Sequence, residues 1–291
     1  MTVVVGHDGS DSGDDAATLG AQLSATTGED LVVVSVYPEE NPIGMGRVDA
    51  EYVAFMREQA EQMNACARRF LEGRGVSATY RVVGSSSAAH GLDDVAEATG
   101  ASMIVVGSAR HGARRRISPG STGERLLHGA ICPVAVAPRG LRERGADEPI
   151  RRIGVAYLDA PEARVALGVA ADLVGQTGAS LTLYTVVAPR AEIFAPVSGR
   201  DAEEAFLGAV REGARAALDK AVSSLDVEAA DELLEGDVVD ALAALDDHEC
   251  DLLVCGSRGY GPVRRVLLGG VASKLVRRAA CPVLVVPRGA G

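Results

Sequence analysis

Two stretches of this sequence join glycine to the start of a helical pattern in a way that could hold a phosphate. In the carboxyl-terminal half, Leu252-Leu253-Val254-Cys255 runs into Gly256-Ser257-Arg258-Gly259, and Gly269-Gly270-Val271 then opens a helical segment. In the amino-terminal half, Met103-Ile104-Val105-Val106 runs into Gly107-Ser108-Ala109-Arg110, and Gly120-Ser121-Thr122 stands before the next helix. Glycine lets the backbone approach a bound group closely, and the first turn of a helix offers unpaired N–H groups to an anion. Neither stretch is a Walker A loop, because no Gly-Lys-Ser/Thr occurs, and neither fits GxGxxG. A glycine-rich turn is also a tight strand-to-helix connection, so spacing alone leaves both readings open.

A carboxylate stands at the other natural ligand position. The run Val3-Val4-Val5 is followed by Gly6-His7-Asp8-Gly9-Ser10. Asp and Ser there also suit a helix amino cap. Arg114-Arg115-Arg116 and Arg264-Arg265 put local positive charge near the two glycine stretches, fitting either a phosphate contact or a solvated loop. The histidines His7, His90, His111, His128 and His248 share no spacing that makes a metal site or a catalytic pair. Cys66, Cys132, Cys250, Cys255 and Cys281 form no CxxC pair and read as reduced core thiols.

The elements that must position these residues occur twice. Met103–Ser108 corresponds to Leu252–Ser257, and Cys132–Gly140 to Cys281–Gly289, both 149 positions apart, while Gly28 and Gly178 are 150 apart. A unit of this size is a duplicated domain rather than a solenoid repeat. Domains at 1–140 and 151–291 follow, with the charged, turn-rich stretch 141–150 as linker. Strands are expected at Val3–Val5, Leu31–Tyr37, Ala78–Val83, Met103–Val106 and Val134–Ala137. Their counterparts are Ile153–Tyr157, Ser180–Val187, Glu228–Leu234, Leu252–Cys255 and Val283–Val286. Continuous apolar runs imply strands covered on both faces, as in a parallel sheet. Helices at Asp14–Thr27, Glu51–Glu72, Pro161–Thr177 and Asp201–Leu225 lie between them, with Gly28 and Gly178 as carboxyl caps. The fold class is α/β, two tandem doubly wound domains with separate cores of Ala, Val and Leu. In such sheets ligands bind beyond the carboxyl ends of the strands, where both candidate sites fall. The last strand of each half should lie at a sheet margin and pair the halves.

The order Gly-x2-Gly-x9-Gly-Ser/Thr after the fourth strand, then a helix and Cys-Pro-Val-x-Val-Val-Pro, resembles the universal stress protein family, as does Val5-Gly6-His7-Asp8-Gly9-Ser10. The resemblance covers nearly all of both halves. It implies a five-stranded parallel sheet in each domain, the adenine nucleotide α-hydrolase-like fold. It also implies ATP held by an aspartate after the first strand, toward the ribose, and by backbone and hydroxyl groups of the glycine loop. Carried onto this chain, the first pocket would use Gly6, His7, Asp8, Val36, Val106, Gly107, Arg110, Gly120, Ser121 and Thr122. The second would use Ala156, Asp159, Val186, Cys255, Gly256, Gly259, Gly269, Gly270 and Val271. Arg110 stands where the loop has its second glycine, Gly270 where it has Ser/Thr, Leu158 opposite Asp8 and Ala160 opposite Ser10. The first half is therefore expected to bind more readily.

The nucleotide implied is ATP, with or without Mg2+, with ADP and AMP as alternatives, and the role is a stress-response or signalling module that is non-catalytic or at most a slow ATPase. The alternative is a protein-interaction scaffold in which one or both pockets no longer hold nucleotide. The resemblance also implies a homodimer of the whole chain and a downstream protein partner not identified by sequence. A net charge of −11 opposes nonspecific binding to nucleic acid or anionic membrane, and the halves, at −6 and −5, are electrostatically alike. The start reads as a strand rather than a signal peptide, and no apolar run approaches the ~20 residues of a membrane helix, so a cytoplasmic location is expected.

Overall fold

Short valine-rich runs become strands because β-branched side chains pack well on a pleated surface buried on both sides. A computed structural model describes residues 1–39, 50–108, 120–188, 200–246, 248–257 and 269–287. In the first half, β1 (Thr2–Gly6), α1 (Asp11–Thr27), β2 (Asp30–Pro38), α2 (Ala50–Glu72), β3 (Thr79–Ser85), α3 (Ala88–Thr99), β4 (Met103–Gly107), α4 (Ser121–Leu126) and β5 (Val134–Ala137) follow in order. A 3-10 turn at Leu141–Glu143 leads to β6 (Arg152–Ala156), α5 (Pro161–Thr177), β7 (Ser180–Val187), α6 (Arg200–Ser223), β8 (Ala229–Glu235), α7 (Val238–Ala243), β9 (Leu252–Gly256), α8 (Gly270–Arg278) and β10 (Val283–Val286). Each half is a parallel, doubly wound α/β unit of five strands, as expected, ordered β3-β2-β1-β4-β5 and β8-β7-β6-β9-β10.

The two sheets are one. β5 and β10 pair antiparallel, Val134 opposite Val285 and Val136 opposite Val283, giving ten continuous strands. The last strand of each half is thus a margin of its own unit and the centre of the whole. This joining changes the core. Instead of one core per half, one core lies on each face of the common sheet and runs through both halves. The first gathers Leu19, Leu23 and Leu71 with Leu167 and Leu218; the second gathers Leu92 and Leu126 with Leu242 and Leu275. The outer strands β3 and β8 are only partly covered, whereas β5 and β10 are buried throughout.

The stretch 141–150 is docked rather than solvated. Leu141, Ala146 and Ile150 are buried, and the buried carboxylate of Asp15 on α1 accepts N–H bonds from Gly140 (3.0 Å) and Arg142 (2.8 Å) and pairs with the Arg142 guanidinium (3.3 Å). Gln22 donates to the Gly145 carbonyl at 2.9 Å. Burial pushes the Asp15 carboxyl upward, against the N–H bonds and the guanidinium, which favour its charged form.

Gly28 and Gly178 end α1 and α5 with φ of 70° and 67°, each donating its N–H to the carbonyl four residues back. That left-handed position is the one expected of them. α1 starts at Asp11, three residues before its expected start, because Ser10 in extended conformation already leads the chain into the helix.

Candidate functional site

The strand order within each half reverses direction between β1 and β4, and between β6 and β9. At such switch points the helices leave on opposite faces and a crevice opens beyond the strand ends. A cleft of about 440 Å³ lies at the first of these and one of about 640 Å³ at the second.

The floor of the first cleft is the end of β1. His7 continues the ladder, its N–H bonding the Val34 carbonyl at 2.9 Å and its own carbonyl accepting from Ser35 Oγ at 3.0 Å. Its ring is buried. Nδ1 accepts the Gly9 N–H at 3.1 Å, so the proton sits on Nε2 and is donated to Asp14 Oδ1 at 3.1 Å. Asp8 follows at the exposed rim, where Oδ1 accepts from the Ser10 N–H at 3.2 Å and from Ser10 Oγ.

Of the residues expected at the first pocket, Gly6, His7, Asp8, Val36, Val106, Gly107, Gly120, Ser121 and Thr122 all line this cleft. Arg110 lies outside the described residues, as do Gly112, His111 and the arginines at 114–116. Sequence reading missed Ser12 and Gly13 in the first turn of α1, Met63 on α2, and Ala88 and Leu92 on α3. Ala88 and Leu92 show the i, i+4 apolar spacing of a helix face, the one signal available for them. A polar groove lined by Asp11, Asp14, Asp15 and Arg139 adjoins the cleft and shares Ser12 and Ser108 with it.

Gly107 has a function that does not involve a ligand. A Cβ on it would overlap the carbonyl oxygen of Ser12, so glycine is what lets the first turn of α1 close on the end of β4. Ser12 Oγ then donates to the Ser108 carbonyl. Gly256 repeats the arrangement: a Cβ there would stand 2.6 Å from the Glu162 carbonyl oxygen in the first turn of α5.

The second cleft uses the same frame. Tyr157 bonds the Tyr184 carbonyl through its N–H at 2.9 Å and accepts from Thr185 Oγ1 at 2.9 Å, as His7 does with Val34 and Ser35. Ala156, Val186, Cys255, Gly256, Gly269, Gly270 and Val271 line it. Gly259 and the arginines at 264 and 265 lie outside the described residues. Asp159 is not among the lining residues. It turns away to Arg164 on α5, accepting from Nε at 2.9 Å and Nη2 at 2.6 Å, and lines a separate groove. The Arg164 guanidinium holds the Asp159 carboxyl below its ordinary range. Leu158 stands at the cleft in its place. Burial pushes the Cys255 thiol up to about 12, so it is a packing group rather than a nucleophile.

A model of the universal stress protein family matches residues 1–138 and again 149–287. The chain belongs to the universal stress protein family. A universal stress protein of Mycobacterium tuberculosis is 30% identical over 295 residues, covering 99% of this chain and 100% of that protein, and one of Mycobacterium bovis matches equally. Among solved structures, a universal stress protein from Archaeoglobus fulgidus superposes with a TM-score of 0.66 at 22% identity, over 99% of this chain and 98% of that one. A functionally unknown protein from Pseudomonas aeruginosa gives 0.62 at 17%, over 99% and 92%. These likenesses establish the fold, including its full tandem extent.

In this universal stress protein the two clefts share a strand frame and differ in chemistry. Asp8, Ser10, Ser121 and Thr122 of the first half become Leu158, Ala160, Gly270 and Val271 in the second. Among the described residues no group of three His, Cys, Asp or Glu is placed to hold a metal, and no helix is long and apolar enough to cross a membrane.

Proposed function

We propose that the first cleft binds an adenine nucleotide, with ATP as the expected ligand, and that this protein acts as a non-catalytic, nucleotide-responsive module of the cytoplasmic stress response. The observation that carries the reading is the cleft at the β1/β4 switch point, bounded on one side by the Asp8 carboxylate and on the other by the Gly120-Ser121-Thr122 start of α4. A carboxylate is a strong acceptor for ribose hydroxyls. The Ser121 and Thr122 hydroxyls and the open N–H groups of the helix start are donors for phosphate oxygens. Val36, Val106 and Leu92 give the apolar wall a purine requires. Mg2+ would neutralise part of the phosphate charge, and no protein ligand set for it is proposed.

Hydrolysis is not part of the proposal beyond a slow background rate. The histidine that could serve as base, His7, has both ring nitrogens engaged, with Gly9 and Asp14. The domain boundaries proposed are 1–140 and 151–291 about the docked segment 141–150. The chain's own β5–β10 pairing uses the final strands, so a homodimer of whole chains would need another surface; light scattering that returns only a 30.0 kDa species removes that dimer.

Calorimetric titration with ATP, ADP, AMP and a cyclic nucleotide tests the binding claim. Dissociation constants below about a millimolar are expected for ATP, equivalent to more than about 4 kcal/mol. Asp8→Ala removes an acceptor worth about 1.5–3 kcal/mol and should weaken binding ten- to a hundredfold; Ser121→Ala, at about 0.5–1.5 kcal/mol, should cost two- to tenfold. No binding at millimolar ATP would reject the reading in favour of a scaffold without nucleotide.

A further inference from the structure

We infer that the second cleft is a binding site for a small, neutral, predominantly apolar molecule rather than for a nucleotide. The inference does not depend on what occupies the first cleft.

Four positions carry it, because the repeat supplies an internal comparison on the same strand order. Leu158 replaces Asp8 and is 70% exposed at the cleft; Val271 replaces Thr122 and is 48% exposed. Both are apolar groups set in water at the mouth of a concavity, where a solvated loop would carry polar ones. Gly270 removes the Ser121 hydroxyl, and Glu162 replaces Ser12 in the first turn of α5, adding a negative charge among the lining residues where an anion would bind. The candidate carboxylate that remains, Asp159, is taken up by Arg164 outside the cleft. The changes at Leu158, Gly270 and Val271 each remove a polar partner for a sugar or a phosphate, and the cleft, at about 640 Å³ against about 440 Å³, has not filled in. A site that had only lost its ligand would gain nothing by staying open, since packed interiors close over voids.

A second observation points to a ligand group inside. Ser257, just past the end of β9, lines the cleft while only 4% exposed, and its Oγ has no hydrogen-bond partner among the described residues. Buried hydroxyls are nearly always satisfied, and one left alone at a cleft is where a ligand's single polar group would bond. The ligand class is therefore apolar with one hydrogen-bonding group, between Leu158 and Val271 at the mouth and Leu242 and Leu275 within.

The probe is N-phenyl-1-naphthylamine, which is neutral, apolar, carries one N–H, and fluoresces when it leaves water. Full-length protein should give saturable enhancement. Leu158→Asp, at an exposed position that leaves folding intact, should weaken it at least tenfold; Ser257→Ala should weaken it two- to tenfold, the worth of one hydrogen bond. The Asp8→Ala/Ser121→Ala double variant should bind the probe as the parent does, with no displacement by ATP. Absence of saturable enhancement, an affinity unchanged within twofold by Leu158→Asp, or displacement of the probe by ATP in that double variant would each overturn the inference. None of these outcomes depends on whether the first cleft holds nucleotide.

Discussion

Replacing Gly107 by alanine separates two jobs that a glycine beyond a strand can do. If it is there for a ligand, the added methyl lowers affinity and leaves the fold alone. If it is there for packing, the methyl strikes the protein. A Cβ at Gly107 would overlap the Ser12 carbonyl oxygen and lie 2.7 Å from the carbonyl carbon, and at Gly256 it would lie 2.6 and 2.8 Å from the same atoms of Glu162. Both obstacles are backbone in the first turn of a packed helix, so neither can rotate away. Overpacking costs about 1–3 kcal/mol, and rigid obstacles put Gly107→Ala near the top, at about 3, and Gly256→Ala, with the smaller overlap, at about 2. For a chain of this size, where each kcal/mol moves Tm by ~2–4 °C, drops of about 6–12 °C and 4–8 °C follow. Gly270 is the control. Among the described residues nothing lies within 4 Å of its Cβ position, and Gly270→Ala should leave Tm unchanged or raise it, alanine being better in a helix by up to about 1 kcal/mol. Thermal melts without ligand read all three. Parental Tm for Gly107→Ala, with nucleotide affinity lost, would refute the packing account and return the glycine to the ligand.

Asp15→Ala removes the acceptor that holds Gly140, Arg142 and the segment after them to α1, and should cost about 3 kcal/mol in a urea titration and open 141–150 to protease. A loss under about 1 kcal/mol would show that the apolar contacts of Leu141, Ala146 and Ile150 suffice. Stability should also fall as pH rises from about 9 toward 12, because the Cys132 and Cys255 thiols are pushed up to about 12 by burial while an unfolded thiol ionises near 9.0. The native state then holds protons the unfolded chain has released, so the sign is destabilising. A flat urea midpoint across that range would contradict it. Under native conditions a thiol reagent should label half-exposed Cys66 first, with the other four cysteines reacting only on unfolding.

How much of this could be read from sequence depends on how local each cause is. The inner strands were legible because a strand covered on both faces is written as an unbroken apolar run, and α5 began where Pro161 could only be a first-turn residue. α3 and α7 carry real caps, Ser87 accepting from His90 N–H and Asp237 from the Val239 and Asp240 N–H groups, but both follow half-buried edge strands whose ends are weakly marked, and α7 has only 6 residues. The merging of two cores into one sheet was not legible in full: the pairing of final strands followed from their place at a margin, whereas the division of the core by face needs α1 and α5 seated together. Many site residues next in sequence to a strand end were found, but Ser108, Tyr157, Leu158 and Ser257 were not named among them. Those delivered by a helix, such as Met63 and Leu92, were not, because their reach depends on how that helix crosses the sheet. The asymmetry between clefts was visible at Leu158 and Gly270, but the diversion of Asp159 needed Arg164 one helical turn into α5 to be seen beside it.

The number of ATP molecules bound per chain tests the central claim most directly. Calorimetry at saturating protein should return one nucleotide per chain, lost in the Asp8→Ala/Ser121→Ala variant and retained in Leu158→Asp. Two nucleotides per chain, or loss of the single nucleotide on Leu158→Asp with Asp8 intact, would contradict the assignment of nucleotide to the first cleft.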